Sequence, residues 1–319
     1  MTGDLLLALL GPTASGKTEA SLSLAEELGA EIVCVDSMLV YRGMDVGTAK
    51  PTIEQRARVP HHLLDLADPT ERFSVARFQA LAREAVSDIR DRGHRALLVG
   101  GGGLYYRAVV DGLRFPGTLP SARSSLEKEA ARVGPEALHR QLAEVDPVAA
   151  RRIHPRNVRR TIRALEVRAI TGAVFSAGYQ DWDRYPSDAV RAAGIELPRE
   201  VLHARIERRV REIMPGLLRE TSRLLARGAG PFITSSQAIG YAEAASLLEG
   251  RMTEAEASAS TVRRTKALAR RQMAWLRRDP RIRWFIAGDG GAGEVVEHVV
   301  VWLGAGSRLA AAAATRQEG

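Results

Sequence analysis

Eight residues near the N-terminus, Gly11-Pro12-Thr13-Ala14-Ser15-Gly16-Lys17-Thr18, constrain this chain more than any others. They fit the phosphate-loop pattern of Gly, four residues, then Gly-Lys-Thr. The apolar run Leu5–Leu10 precedes them and a helical pattern from Glu19 to Leu28 follows. The run reads as a buried parallel strand, so the glycines fall where a strand turns into a helix. There the backbone N–H groups can converge on an anion, and the helix adds its positive end. Lys17 can then reach a terminal phosphate, and the Thr18 hydroxyl can face Mg²⁺. A glycine turn without a ligand is the alternative, and the strand–loop–helix context argues against it. The motif does not say whose phosphate is held.

Three further segments cluster chemistry around that loop. Glu31–Val35 reads as a second buried strand and delivers Asp36-Ser37 at its end. A carboxylate there sits where α/β sheets bind ligands, although Asp is also common as a turn or helix-cap residue. A third strand, Arg95–Val99, runs into Gly100-Gly101-Gly102-Gly103 and an apolar helix, a second place for close backbone approach. Between them, Met38–Pro60 lacks periodicity and reads as a long ordered loop near a ligand. His61 and His62 follow it. Adjacent residues of a strand point to opposite sides, so a shared metal site is not expected of this pair.

From Arg114 the pattern becomes helical, with Pro116, Gly117 and Pro120 marking a boundary. The segment Arg151–Arg163 is strongly basic. From Val158 it reads as a helix with Ile162, Leu165 and Val167 inward and Arg159, Arg160 and Arg163 toward solvent. Basic helices recur at Leu202–Arg227, where Pro215-Gly216 threatens a kink, and at Thr253–Arg278. A short strand holds Trp284 and Phe285, and the Ala-rich stretch 305–319 has no packing pattern. The net charge of +8 and the pI of about 10.1 suit a partner that is a polyanion, although a general preference for Arg over Lys would give the same balance. One cysteine, Cys34, excludes an internal disulfide and a cysteine-based zinc site. No apolar stretch is long enough to span a membrane and no basic region precedes the first apolar run, so no membrane association and no signal peptide are expected, and the location expected is cytoplasmic. These boundaries predict an α/β fold: a parallel-sheet core begun by residues 1–115, a helical insertion at 116–190, the rest of the core with basic C-terminal helices at 191–304, and a frayed tail at 305–319.

Taken together, GPTASGKT at 11–18, VDSMLVYRGMDVGTAKP at 35–51, VPHHLLD at 59–65, VGGGGLYYRAV at 99–109, IHPRNVRRTIRALEV at 153–167, QAIGY at 237–241 and RRQMAWLRRDPRI at 270–282 resemble the bacterial tRNA dimethylallyltransferases. The resemblance runs from Leu5 to about Phe285. It implies a P-loop nucleotide-kinase-like core with a helical insertion domain and a helical C-terminal part. It also implies that the loop, Gly11 to Thr18, cradles the diphosphate of dimethylallyl diphosphate rather than ATP. The implied reaction transfers the dimethylallyl group to N6 of adenosine 37, beside the anticodon, in tRNAs that read codons beginning with U. Asp36 would accept the amine proton, and Lys17, Thr18 with Mg²⁺, and Arg205 would stabilise the departing diphosphate. Asp36, Ser37, Met38, Leu39, Gly102, Arg123, Arg159, Arg160, Thr161, Ile162 and Arg163 would touch the anticodon stem-loop, whose target base must leave its stack. A monomer is implied.

Two positions depart from the family pattern. Gly102 stands where Thr or Ser is usual, which removes a hydrogen bond of about 1–3 kcal/mol near the reacting groups. Leu39 stands where many members have Gln. Two other readings follow from the residues alone. One is a nucleoside or nucleotide kinase using ATP in the same loop, which leaves the basic C-terminal helices without a task. The other is an RNA-binding relative weakened in catalysis by Gly102.

Overall fold

The computed structural model describes residues 5–182, 184–186, 190–227 and 238–304. Gln237 of the QAIGY segment and the 305–319 stretch lie outside the described residues. The chain divides into two compact units, one made of residues up to Asp111 together with those from Pro186 on, the other of Gly112–Tyr185.

The larger unit begins with β1 (Leu6–Leu10), α1 (Lys17–Leu28), β2 (Ala30–Cys34), α2 (Ile53–Arg58), β3 (His61–His62), α3 (Val75–Asp91), β4 (Arg95–Gly100) and α4 (Gly103–Val110). The smaller unit holds α5 (Pro120–Val133), α6 (Pro135–Val145), α7 (Pro147–Arg152), α8 (Val158–Thr171) and the single turn α9 (Tyr179–Trp182). The larger unit resumes with β5 (Val190–Glu196), α10 (Arg199–Ala226), α11 (Tyr241–Leu248), α12 (Glu254–Leu276) and β6 (Ile282–Ile286). Residues 296–304 end the described chain as a helix.

The six strands form one sheet in the order β3-β2-β4-β1-β5-β6, every pair parallel. A parallel sheet is covered on both faces, which is why β1 is apolar throughout and β2 is buried along its whole length, with its single charged residue, Glu31, bonded to His62 and Arg92. Leu7, Leu9, Leu10, Ile32, Val33, Leu97 and Leu98 are all buried in one core. Because β4 lies between β1 and β2, the phosphate loop, the glycine run and Asp36 leave three neighbouring strands at the same edge of the sheet. Two ladder bonds extend the pairing to that edge, Val35 N–H to Val99 O at 2.9 Å and Gly11 N–H to Gly100 O at 3.3 Å.

Some of the irregular stretch after Asp36 is helical. Thr52 and Gln55 close a capping box on α2, a helix too short for its period to register in the sequence. The remaining loop is held from beneath. Glu220 of α10, almost fully buried, accepts the backbone N–H groups of Asp45 at 2.9 Å and Val46 at 3.0 Å, and the hydroxyl of Tyr241 on α11. Lys50 Nζ, also buried, donates to Tyr41 O at 2.6 Å and to Asp65 Oδ1 at 2.7 Å, and pairs with Asp45 at 2.6 Å. Helix α10 runs through Pro215 without a break.

In the smaller unit, Leu142, Ala149, Ala150, Ile153 and Ala164 make a separate core. Glu166 of α8 is buried there and accepts from Arg123 Nη2 at 2.6 Å, Arg163 Nη1 at 2.7 Å and Leu119 N–H at 3.3 Å. Burial opposes its charged form, but the two guanidiniums outweigh that and hold its carboxyl below the usual range.

Replacing Glu220 with Ala strands buried N–H groups and the Tyr241 hydroxyl without an acceptor. The expected cost is about 3 kcal/mol, read as a lower urea midpoint at unchanged slope.

Candidate active site

The phosphate loop curls because Ala14 and Gly16 both adopt the left-handed conformation, at φ 65° and 87°. Gly16 caps α1, which points its N-terminus into a cavity of about 400 Å³ lined by Thr13 to Thr18. Lys17 as a whole is partly exposed, yet its ammonium is enclosed, donating to Pro12 O at 2.6 Å and Ser15 Oγ at 3.2 Å. That enclosure pushes its pKa down to about 7; the charge of Asp36 opposes the shift and that of Arg209 adds to it. The loop is braced from the far end of the chain, where Ala292 N–H donates to Ser15 O at 2.8 Å.

Asp36 continues β2 into this cavity. Its Oδ1 accepts Met38 N–H at 2.7 Å, so the side chain forms a turn and still faces the site. The turn role and the functional role coexist in one residue. Asp36 also lines a second cavity, of about 590 Å³, and with it Thr13, Ala14, Thr48, Gly101, Arg209 and Gln272 are common to both. The two cavities therefore share a wall that carries one carboxylate and one guanidinium. Beyond it the second cavity widens toward Tyr105, Leu268 and Trp275, and Trp275 is 41% exposed.

The glycine run approaches protein on both flanks. A Cβ at Gly101 would lie 2.4 Å from Gln272 Nε2 and 2.7 Å from Gly11 O, which no side chain permits. At Gly102 the nearest atom to a Cβ is Val35 O at 3.3 Å, so a small side chain needs only a slight adjustment there.

The remaining site residues divide by location. Ser37, Met38 and Gly102 line the second cavity, whereas Leu39 lines the first. Arg205 borders the first cavity with Nε on Ala14 O at 2.9 Å and Nη1 on Asp289 O at 2.6 Å, so it braces the loop as well as charging it. His61 lines the first cavity with Nδ1 on Val59 O at 2.7 Å, while His62 turns to Glu31 at 2.6 Å; the pair faces opposite ways and shares no ligand. In the smaller unit Arg159 and Arg160 are exposed, whereas Thr161 and Ile162 are buried. Arg123 and Arg163, the latter expected on the solvent side, are instead tied to Glu166. The buried acid drew those two guanidiniums inward.

Two residues escaped the sequence reading. Arg209 follows Arg205 by one helical turn, and that spacing alone places both on one face of α10. Its own pKa is lowered by burial, against the pull of Asp36. Gln272 accepts Thr13 N–H at 2.8 Å through Oε1 and so ties α12 to the phosphate loop; nothing in its local sequence foretells that partner.

Fold and site together define a phosphate-loop protein in which an anion cradle adjoins a second opening across a single carboxylate. Within that class, the chain belongs to the IPP transferase family. The family model described as IPP transferase matches residues 39–279, and that described as isopentenyl transferase matches residues 5–65. The chain is 50% identical over 292 residues to the tRNA dimethylallyltransferase of Kineococcus radiotolerans, covering 89% of this chain and 92% of that one. Identity to the protein of the same description from Salinispora tropica is 48% over 295 residues, covering 92% and 91%. The solved full-length tRNA isopentenylpyrophosphate transferase of Bacillus halodurans is 39% identical, with a TM-score of 0.67 over 96% of this chain and 99% of that one.

With a pKa of about 7, Lys17 is mostly neutral at pH 8, and a bound polyanion raises that pKa. Binding of inorganic diphosphate at pH 8 is therefore expected to take up a proton, seen calorimetrically as a heat that depends on buffer ionisation. The uptake disappears in Lys17→Gln, and a buffer-independent heat in the unsubstituted protein would contradict the assignment.

Proposed function

We propose that this protein transfers the dimethylallyl group of dimethylallyl diphosphate to N6 of adenosine 37 in tRNAs that read codons beginning with U. The observation that carries the reading is the position of Asp36 on the wall shared by the two cavities. The first cavity, with Lys17, the loop and Arg205, Arg208 and Arg209 around it, suits a diphosphate. The second, bordered by Tyr105 and Trp275, suits an extruded purine. Held between them, the amine attacks the allylic C1. The N6–C1 bond forms as the C1–O bond breaks, diphosphate leaves with the bonding electrons, and the N6 proton passes to Asp36. Lys17 and Arg209 meet the charge that develops on the leaving oxygen.

Mg²⁺ suits the donor set. Thr18 offers a hydroxyl and Asp36 a carboxylate in the same cavity, and the described residues contain no group of three or more His, Cys, Asp or Glu able to hold a metal alone. Hard oxygens in small number fit an ion that draws its other ligands from phosphate and water. When bound beside Thr18, the ion supplies charge neutralisation at the diphosphate. In the smaller unit the exposed Arg159 and Arg160 are the cations we assign to the anticodon stem-loop. No described helix is long and apolar enough to cross a membrane.

The test is nucleoside mass analysis of tRNA incubated with the protein, Mg²⁺ and dimethylallyl diphosphate. An adenosine that stays unmodified would reject the reading. Asp36→Asn keeps an oxygen for the Met38 turn but loses the proton acceptor; transfer is expected to slow by about 10²–10⁴-fold, with little change in the binding of either substrate.

A further inference from the structure

The sequence presents α12 as one basic helix, but the structure sends its cations to two different places. Arg264 and Arg271 line the second cavity of the site. Arg263, Lys266, Arg270 and Arg277 instead line a separate groove of about 1150 Å³ that the chemistry above does not use. Its opposite wall is a stripe of α10 at intervals of four residues, Arg199, His203, Glu207 and Arg211. Twelve residues of helix extend about 18 Å, so two walls of one predominant sign run side by side over that length.

Acids are few in the groove and are already taken. Glu207 pairs with Lys266 at 2.6 Å, and Glu196 pairs with Arg277. Arg199, Arg211, Arg263 and Arg270 are exposed and make no ion pair among the described residues. His203 on the same wall has its pKa lowered by burial first and then by Lys266 and Arg199, against the opposing pull of Glu207 and Glu200. The floor is apolar, with Leu202, Val262 and Met273, and no Phe, Tyr or Trp lines the groove. Such a floor can pack against ribose but offers no stacking platform for bases.

We infer that this groove binds the sugar-phosphate backbone of the substrate tRNA outside the anticodon stem-loop, independently of base sequence. The inference rests on tRNA being the substrate, as proposed above. Like charges on facing walls repel unless a polyanion lies between them, and phosphates spaced along a strand meet both walls at once. An acidic protein segment is the competing occupant.

The experiment uses the full chain carrying Arg211→Gln, Arg263→Gln and Arg270→Gln together. All three side chains are exposed, and a thermal melt matching the parent checks the fold. Two probes are compared: a full-length tRNA transcript and a minimal anticodon stem-loop. The affinity for full-length tRNA is expected to fall at least about tenfold, and the slope of log K against log salt to shrink by about 2–3, or about 0.7–0.9 for each lost phosphate contact. The stem-loop affinity and the KM for dimethylallyl diphosphate should stay within about twofold. Equal losses for both RNAs would place these cations at the anticodon and overturn the inference. Unchanged affinities for both would overturn it in favour of an acidic protein segment. If the parent protein modifies no tRNA, the substrate reading itself has failed. If the parent modifies tRNA and the variant binds it equally well, only the groove assignment has failed.

Discussion

The pairing of β2, β4 and β1 is the constraint on which the rest of the site depends. Parallel pairing brings all three strands out at the same edge, and the strand order puts the glycine run between the carboxylate and the anion cradle. The ladder bonds from Val35 to Val99 and from Gly11 to Gly100 are main-chain contacts, so the spacing between Asp36 and the phosphate loop is fixed before any side chain packs. Gly101 must lack a side chain because Gly11 O and Gln272 crowd it from two sides. Ligand crevices at the carboxyl ends of parallel strands follow from this geometry.

Around that edge, long-range contacts rather than local ones stiffen the site. Gln272 arrives from α12 to hold Thr13, and Ala292 arrives from near the end of the described chain to hold Ser15. Glu220 reaches from α10 into the 45–47 turn and so steadies the stretch that brings Thr48 to both cavities. Each contact satisfies a backbone N–H that would otherwise be left open, and hydrogen bonds of this kind matter most where water is excluded.

Legibility in the sequence followed the range of the interaction. The phosphate loop, the buried strands and the position of Asp36 were readable because each is set by neighbours in the chain: an apolar run, a glycine pattern, a residue at a strand end. The helices from Val158 and from Thr253 were readable from their period, and the structure places them at Val158–Thr171 and Glu254–Leu276. Short helices such as α2 and α7 were not, since six residues hardly complete a period. Arg123 and Arg163 looked like surface cations because Glu166 is distant from Arg123 in sequence and its burial has no local sign. Gln272 and Glu220 act across gaps of 259 and 175 residues, beyond the reach of any pattern along the chain. The two faces of α12 were merged for a similar reason: the period shows that a helix has sides, but only the packing against α10 shows what each side meets.

The division of labour between sheet and helices has an evolutionary consequence. The phosphate loop and Asp36 hang from strands whose separation is dictated by backbone geometry, whereas much of the lining of the second cavity comes from α10 and α12. Substitutions on those helices can reshape what is admitted without altering the distance over which bonds are exchanged. A lineage of such proteins can thus drift in its choice of acceptor while its reactive centre stays constant, because the two properties are inherited through different parts of the architecture.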